Sequence, residues 1–185
     1  GMAVLLLVSA GVLWRRRPLF VALLRENRGV MLVHELVFLA AFALFWMIRV
    51  RNPDLWHLNY GGEKPMEFAY LNAVAKSTYF PPYDPWLAGG YMNYYYFGFV
   101  IVAALIRLTG VVPAVAFNLA IPSIFALTVA GLFSIGFNYS AELRKVAARP
   151  VSTRTVTTGL ATAVYVLIAG NLDGPIQILD SLWKA

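Results

Sequence analysis

The sequence has no cysteine, which excludes disulfides and thiolate metal sites. It is also short of charge: 13% of its residues are Asp, Glu, Lys or Arg, against about 25% in soluble domains. Only nine residues are acidic. With 60% hydrophobic residues and a mean hydropathy of +0.67, an ordinary soluble domain is excluded, and an all-α polytopic membrane protein is expected. The net charge of +6 does not point to nucleic acid. Arg15, Arg16, Arg17, Arg25 and Arg28 form one basic block and Arg144, Lys145, Arg149 and Arg154 another. Both flank apolar segments, as the positive-inside pattern requires, and neither forms a binding stripe.

Within those bounds the chain alternates apolar runs with polar connections. Residues 3–14 are apolar but shorter than the ~20 residues a bilayer needs. Because the positive charges follow this run, it is expected to be a truncated first span and not a signal peptide. Residues 15–28 are expected as a basic, partly helical connection at the interface, with Pro18 starting a short helix. Spans are expected at about 29–50, 114–139 and 155–170. Pro122 is tolerated inside the 114–139 span where neighbouring groups satisfy the freed carbonyl. Gly170-Asn171-Leu172-Asp173-Gly174-Pro175 stops the last. The chain is expected to be the N-terminal part of a larger membrane protein, with the C-terminal part of the same chain as a partner.

Residues 94–109 decide the topology. The segment has three tyrosines at one end and Arg107 at the other, which suits an interfacial or half-inserted helix. On that placement both basic blocks face the cytoplasm, while the loop 51–93 and Asp173 face outward, in a plasma (cytoplasmic) membrane.

The loop 51–93 is too long and too varied in composition for a mere connection, and it holds Asp54, Glu63, Glu67 and Asp84. Gly61-Gly62-Glu63-Lys64-Pro65-Met66-Glu67 reads as a turn entering a helix, with Pro65 in its first turn and Phe68, Leu71, Val74 and Ala75 on an apolar face. Glu63 and Glu67 then share one side, where they could bind a divalent cation (Mg²⁺ or Mn²⁺) or supply a general base. The plainer roles are that Glu63 caps the helix and Glu67 pairs with Lys64. Downstream, Pro81, Pro82 and Pro85 stiffen an extended segment ahead of the Gly89-Gly90 turn. Trp86, Tyr91, Tyr94, Tyr95 and Tyr96 have the amphipathic rings of an interfacial belt, or of a platform for a lipid or sugar. Elsewhere His34 and Glu35 lie in the first turns of the 29–50 span. They reach the headgroups or a neighbouring helix, or serve a transporter or channel as coupling groups.

The run GGEKPMEFAYLNAVAKSTYFPPYDPWLAGGYMNYYYFG, residues 61–98, resembles the signature of the YYY-domain membrane proteins, whose triplet here is Tyr94, Tyr95 and Tyr96. The likeness is specific over about residues 50–100 and looser through GNLDG at 170–174. The same stretch more distantly resembles the first external loop of the GT-C glycosyltransferases. That resemblance implies GT-C-like transmembrane helices with a long, partly helical external loop after an early span. It further implies transfer of a sugar from a polyprenyl-phosphate donor to an acceptor at the outer membrane face.

Glu63 or Glu67 would be the first catalytic acid and Asp173 the second, the same three being the expected metal ligands. Lys64, Asp84, Trp86, Tyr91, Asn93, Tyr94, Tyr95 and Tyr96 would line the substrate. Glu-Lys-Pro-Met-Glu departs from the GT-C pattern of Asp-Glu or a lone Asp, so which glutamate corresponds stays open, as does the use of a metal. The alternatives are the transporter or channel built on His34 and Glu35, and a non-catalytic scaffold whose loop binds a partner.

Overall fold

The computed structural model describes residues 2–55, 62–93, 95–148, 152–170, 176, 180 and 183. Among them six helices follow one another: α1 (Met2–Arg15), α2 (Arg17–Arg51), α3 (Lys64–Lys76), α4 (Tyr96–Thr109), α5 (Pro113–Val146) and α6 (Thr153–Ala169). The described residues form no strand beyond an isolated antiparallel bridge between Tyr83 and Tyr91. The fold is all-α, as the composition requires.

α2 and α5 have 35 and 34 residues and are apolar and long enough to cross a membrane, each about 50 Å at 1.5 Å per residue. α2 is longer than the expected span. Between Pro18 and Arg51 there is no further proline, and strong helix formers such as Leu23, Leu24, Arg25 and Glu26 carry the helix straight through the basic connection. α5 likewise runs past 139 into the second basic block, and Pro122 is fully buried within it.

The chain divides into two units, residues 1–38 with 130–185, and residues 39–129. In the first, α6 lays Thr155, Gly159 and Ala163, buried at four-residue intervals, along one face. Glycine is required here by close approach. A Cβ on Gly159 would stand 2.8 Å from the Phe133 ring, and one on Gly136 would collide with Thr162. Small residues that let helix backbones come together are the usual means of packing where lipid removes the hydrophobic drive.

The second unit is built on α3 and α4, which pack against each other. Its core holds Leu55, Leu71, Val74, Met92, Ala103 and Phe117. Leu71 and Val74 are the apolar face read from the 3.6-residue spacing, and both are buried. Two polar clasps complete the unit. Arg107 near the end of α4 donates to the carbonyl oxygens of Ala75 (2.7 Å) and Ser77 (3.2 Å) at the end of α3. Buried Arg49 on α2 donates to the side-chain oxygen of Asn118 on α5, whose amide in turn donates to the Pro53 carbonyl at 3.3 Å.

Candidate functional site

Just before α3, Gly62 lies in a turn with φ +58°, a conformation glycine adopts without cost. Pro65 occupies its first turn. Glu63 is the N-cap residue, yet its side chain makes no capping hydrogen bond. Nor do Lys64 and Glu67 form an ion pair among the described residues. Neither plain role expected for the two glutamates is therefore taken up.

Instead Glu63 and Glu67 line one cavity of about 670 Å³ together with Met66, Tyr70, Tyr95 and Phe99. α3 supplies Met66, Glu67 and Tyr70, its N-cap position Glu63, and α4 the ring of Phe99. Tyr95, immediately before α4, is held in the left-handed region (φ +61°). Glu67 faces a second space as well. A groove of about 280 Å³ between α3, α4 and α5 is lined by Glu67, Leu71, Phe99, Val102, Phe117 and Ile121 among others, and among the described residues Glu67 is its sole ionisable group. Phe68 meets Phe117 edge-on at 5.8 Å, and Tyr70 meets Phe99 edge-on at 6.1 Å. Of these rings, Tyr70 and Phe99 line the cavity, and Phe99 and Phe117 line the groove.

The electrostatics follow from that placement. Partial burial raises the Glu67 carboxyl above the ordinary carboxylate range, and the charge of Glu63 raises it further. Burial lifts the Tyr70 hydroxyl, and the Asp84 carboxylate adds to the effect, so Asp84 acts on the cavity's edge through its field.

Among the described residues, the others expected at the site do not line the cavity. Asp84 accepts the Trp86 N–H at 2.8 Å, closing a local turn. Tyr83 and Tyr91 stack at 4.7 Å, with the Tyr91 hydroxyl donating to that of Tyr83 at 3.4 Å, which raises the Tyr91 hydroxyl. Tyr96 stacks on Phe80 at 6.2 Å. Lys64 begins α3, and Asn93 is exposed just past the Tyr83–Tyr91 bridge. Tyr94 and Asp173 lie outside the described residues.

Met66, Tyr70 and Phe99 were not among the expected site residues. The first two were within reach, since each follows a glutamate by three positions and so shares its helix face. Phe99 had no local signal. Asn118 was likewise unforeseen.

Two carboxylates side by side are a fitting start for a hard cation such as Mg²⁺, which takes one or two carboxylates and completes its shell with water and substrate phosphate. Burial is the larger cause of the raised Glu67 carboxyl, and the repulsion from Glu63 that adds to it is what such a cation would relieve. Among the described residues no group of three His, Cys, Asp or Glu side chains comes together to hold a metal.

In the other unit, His34 and Glu35 line a cavity of about 210 Å³ with Phe133, Ser134, Phe137 and Asn138. The His34 ring lies 6.3 Å from that of Phe133.

An all-α chain with two helices long and apolar enough to cross a bilayer, and one unit carrying paired acids beside an apolar groove, is an integral membrane protein. It belongs to the family described as "Uncharacterized membrane protein (DUF2298)", whose family model matches residues 1–185. No curated protein and no solved structure matches the chain.

Proposed function

We propose that the protein is a GT-C-like glycosyltransferase, moving a sugar from a polyprenyl-phosphate donor to an acceptor at the outer membrane face. One observation carries this: Glu67 belongs at once to a cavity lined by two carboxylates and two tyrosines and to an apolar groove. A substrate with a charged head and a hydrocarbon tail needs that pairing, and a purely aqueous or purely lipid-facing site does not offer it.

Glu67 is the general base. Its raised affinity for a proton suits it to accept the acceptor's hydroxyl proton while that oxygen attacks the anomeric carbon. The bond from the anomeric carbon to the phosphate oxygen breaks, and its electron pair leaves with the polyprenyl phosphate. Glu63 tunes Glu67 through its charge, and Lys64, at the start of α3, offers a cation for the departing phosphate. Mg²⁺ or Mn²⁺, if held by Glu63, Glu67 and Asp173, would supply further positive charge there. Tyr70 and Tyr95 present hydroxyls and ring faces to a sugar. Asp173 is assigned as the second acid on the GT-C resemblance.

The test is turnover. The full chain in vesicles, given polyprenyl-phosphate sugars, is expected to transfer or hydrolyse the sugar, and Glu67→Gln, Glu63→Gln and Asp173→Asn are each expected to reduce the rate. Absence of turnover sensitive to these three changes defeats the proposal. A transport function has its own supporting observation in the cavity at His34 and Glu35. It requires flux across sealed vesicles that His34→Ala or Glu35→Gln abolishes while the Glu67 variant leaves it intact.

A further inference from the structure

From Ser77 to Gly110 the chain has only two charged side chains, Asp84 and Arg107. Each is committed to backbone: Asp84 accepts from the Trp86 N–H, and Arg107 donates to two α3 carbonyls. The segment between them is a hairpin followed by α4. In the hairpin Pro81, Pro82 and Pro85 have no N–H to satisfy. The N–H groups of Asp84, Gly90 and Met92 donate to the carbonyls of Gly90, Leu87 and Pro82 at 2.8–3.0 Å. Much of the polar backbone that would resist leaving water is thus already paired within the hairpin.

What the hairpin shows outward is apolar and aromatic. Trp86 is 57% exposed and Leu87 63% at its tip, with Tyr83 and Tyr91 exposed behind them. α4 continues this character. Phe97, Ile101, Leu105 and Leu108 fall on one helical face by their spacing, and all are more than half exposed. The two parts are joined, since Phe80 stacks on Tyr96 and Arg107 binds Ser77. A continuous apolar surface of this kind in a soluble protein would be an aggregation hazard. In a member of a membrane-protein family it needs an occupant with no charge complementarity and wide tolerance of shape.

We infer that the 80–91 hairpin and α4 form one lipid-docking edge, with Trp86 and Leu87 seated at the boundary between headgroups and acyl chains. Lipid is the occupant because the surface has no uncommitted charge to select a protein or a polyanion. Its tryptophan and tyrosines are the side chains that settle at that depth. The inference does not depend on sugar transfer: it concerns where the hairpin sits, whatever Glu67 does.

The absence of cysteine makes the test direct. Leu87→Cys in the full chain, coupled to a nitroxide and reconstituted in phosphatidylcholine vesicles, reports its depth by electron paramagnetic resonance. The label is expected to relax with dissolved oxygen more than with a water-soluble nickel chelate. A second reading uses unlabelled protein in vesicles with brominated acyl chains, where Trp86→Phe is expected to remove a quenched component of the fluorescence. A label reached by the chelate would put the hairpin in water, as a sugar-stacking platform would require, and overturn the inference. A label reached by neither reagent would put it under other protein, with the same consequence.

Discussion

The buried guanidinium of Arg49 and the side-chain oxygen of Asn118 are hydrogen-bonded across 69 residues of sequence. The bond ties the end of α2 to α5, and Asn118 passes the connection on to the Pro53 carbonyl and, at 3.0 Å, to Ala114 in its own helix. One small amide therefore serves a cation and the chain leaving α2.

Removing it leaves a buried charge without its acceptor. Asn118→Ala is expected to cost about 1–3 kcal/mol, the range for orphaning a buried polar group. Asn118→Asp keeps an oxygen facing Arg49 but gives up the N–H donors to Pro53 and Ala114, so it is expected to retain part of the stability at neutral pH. Thermal unfolding in detergent, followed by circular dichroism, separates the two. Equal losses would mean that the contact has no part in holding the unit together.

The Arg107 clasp is more exposed and is worth less. Its two bonds end α3 by giving a partner to carbonyls that no helical N–H reaches. Arg107→Leu is expected to lower stability by about 1 kcal/mol. Arg107→Lys should recover only part of this, because a point-like ammonium does not reproduce a planar fork. Hydrogen exchange at Lys76 and Ser77 is expected to rise in the leucine variant before global stability is lost.

Local chemistry made α3 legible in advance. Pro65 marked its start, and Leu71 and Val74 its buried face, so the side shared by Glu63 and Glu67 followed from spacing alone. The same spacing would have added Met66 and Tyr70. Phe99, Asn118 and the groove beside Glu67 were out of reach, since each depends on elements distant in sequence meeting in space. The continuity of α2 through its arginines was misjudged for a different reason: the charges suggested a boundary, but helix formation responds to propensity and Arg is a good helix former.

The glycine seam of the other unit predicts a graded response. At Gly159 an added methyl meets the Phe133 ring at 2.8 Å and its carbonyl oxygen at 2.9 Å. A ring can tilt, but backbone yields only by moving α5 and α6 apart. Gly159→Ala is expected to cost about 1–3 kcal/mol, the usual range for overpacking, and Gly159→Val more. Gly131, with open space where its Cβ would be, is the control and should accept alanine with little loss. Similar losses at both positions would contradict close packing as the reason for glycine at 159.

Glu67 joins the chemistry to stability, and the two respond to pH in opposite ways. Its proton is held more tightly in the folded protein than in the unfolded chain, because burial and Glu63 disfavour its charge. Below the unfolded carboxyl pKa both states are protonated and nothing is lost. As pH rises towards the higher folded pKa, the unfolded chain gains from ionising first, and folded stability declines to a plateau above it. Glu67→Gln removes this penalty, so it is expected to raise the unfolding temperature at neutral pH, with the gain vanishing in acid. Activity runs the other way. A general base works only when ionised, so the wild-type rate should fall as pH drops through a value above the ordinary carboxylate range, and Glu67→Gln should lose about 10²–10⁴-fold. Glu63→Gln removes the repelling charge and should shift that acid limb to lower pH. An acid limb that stays in place in Glu63→Gln would show that the charge of Glu63 does not reach the group the limb reports.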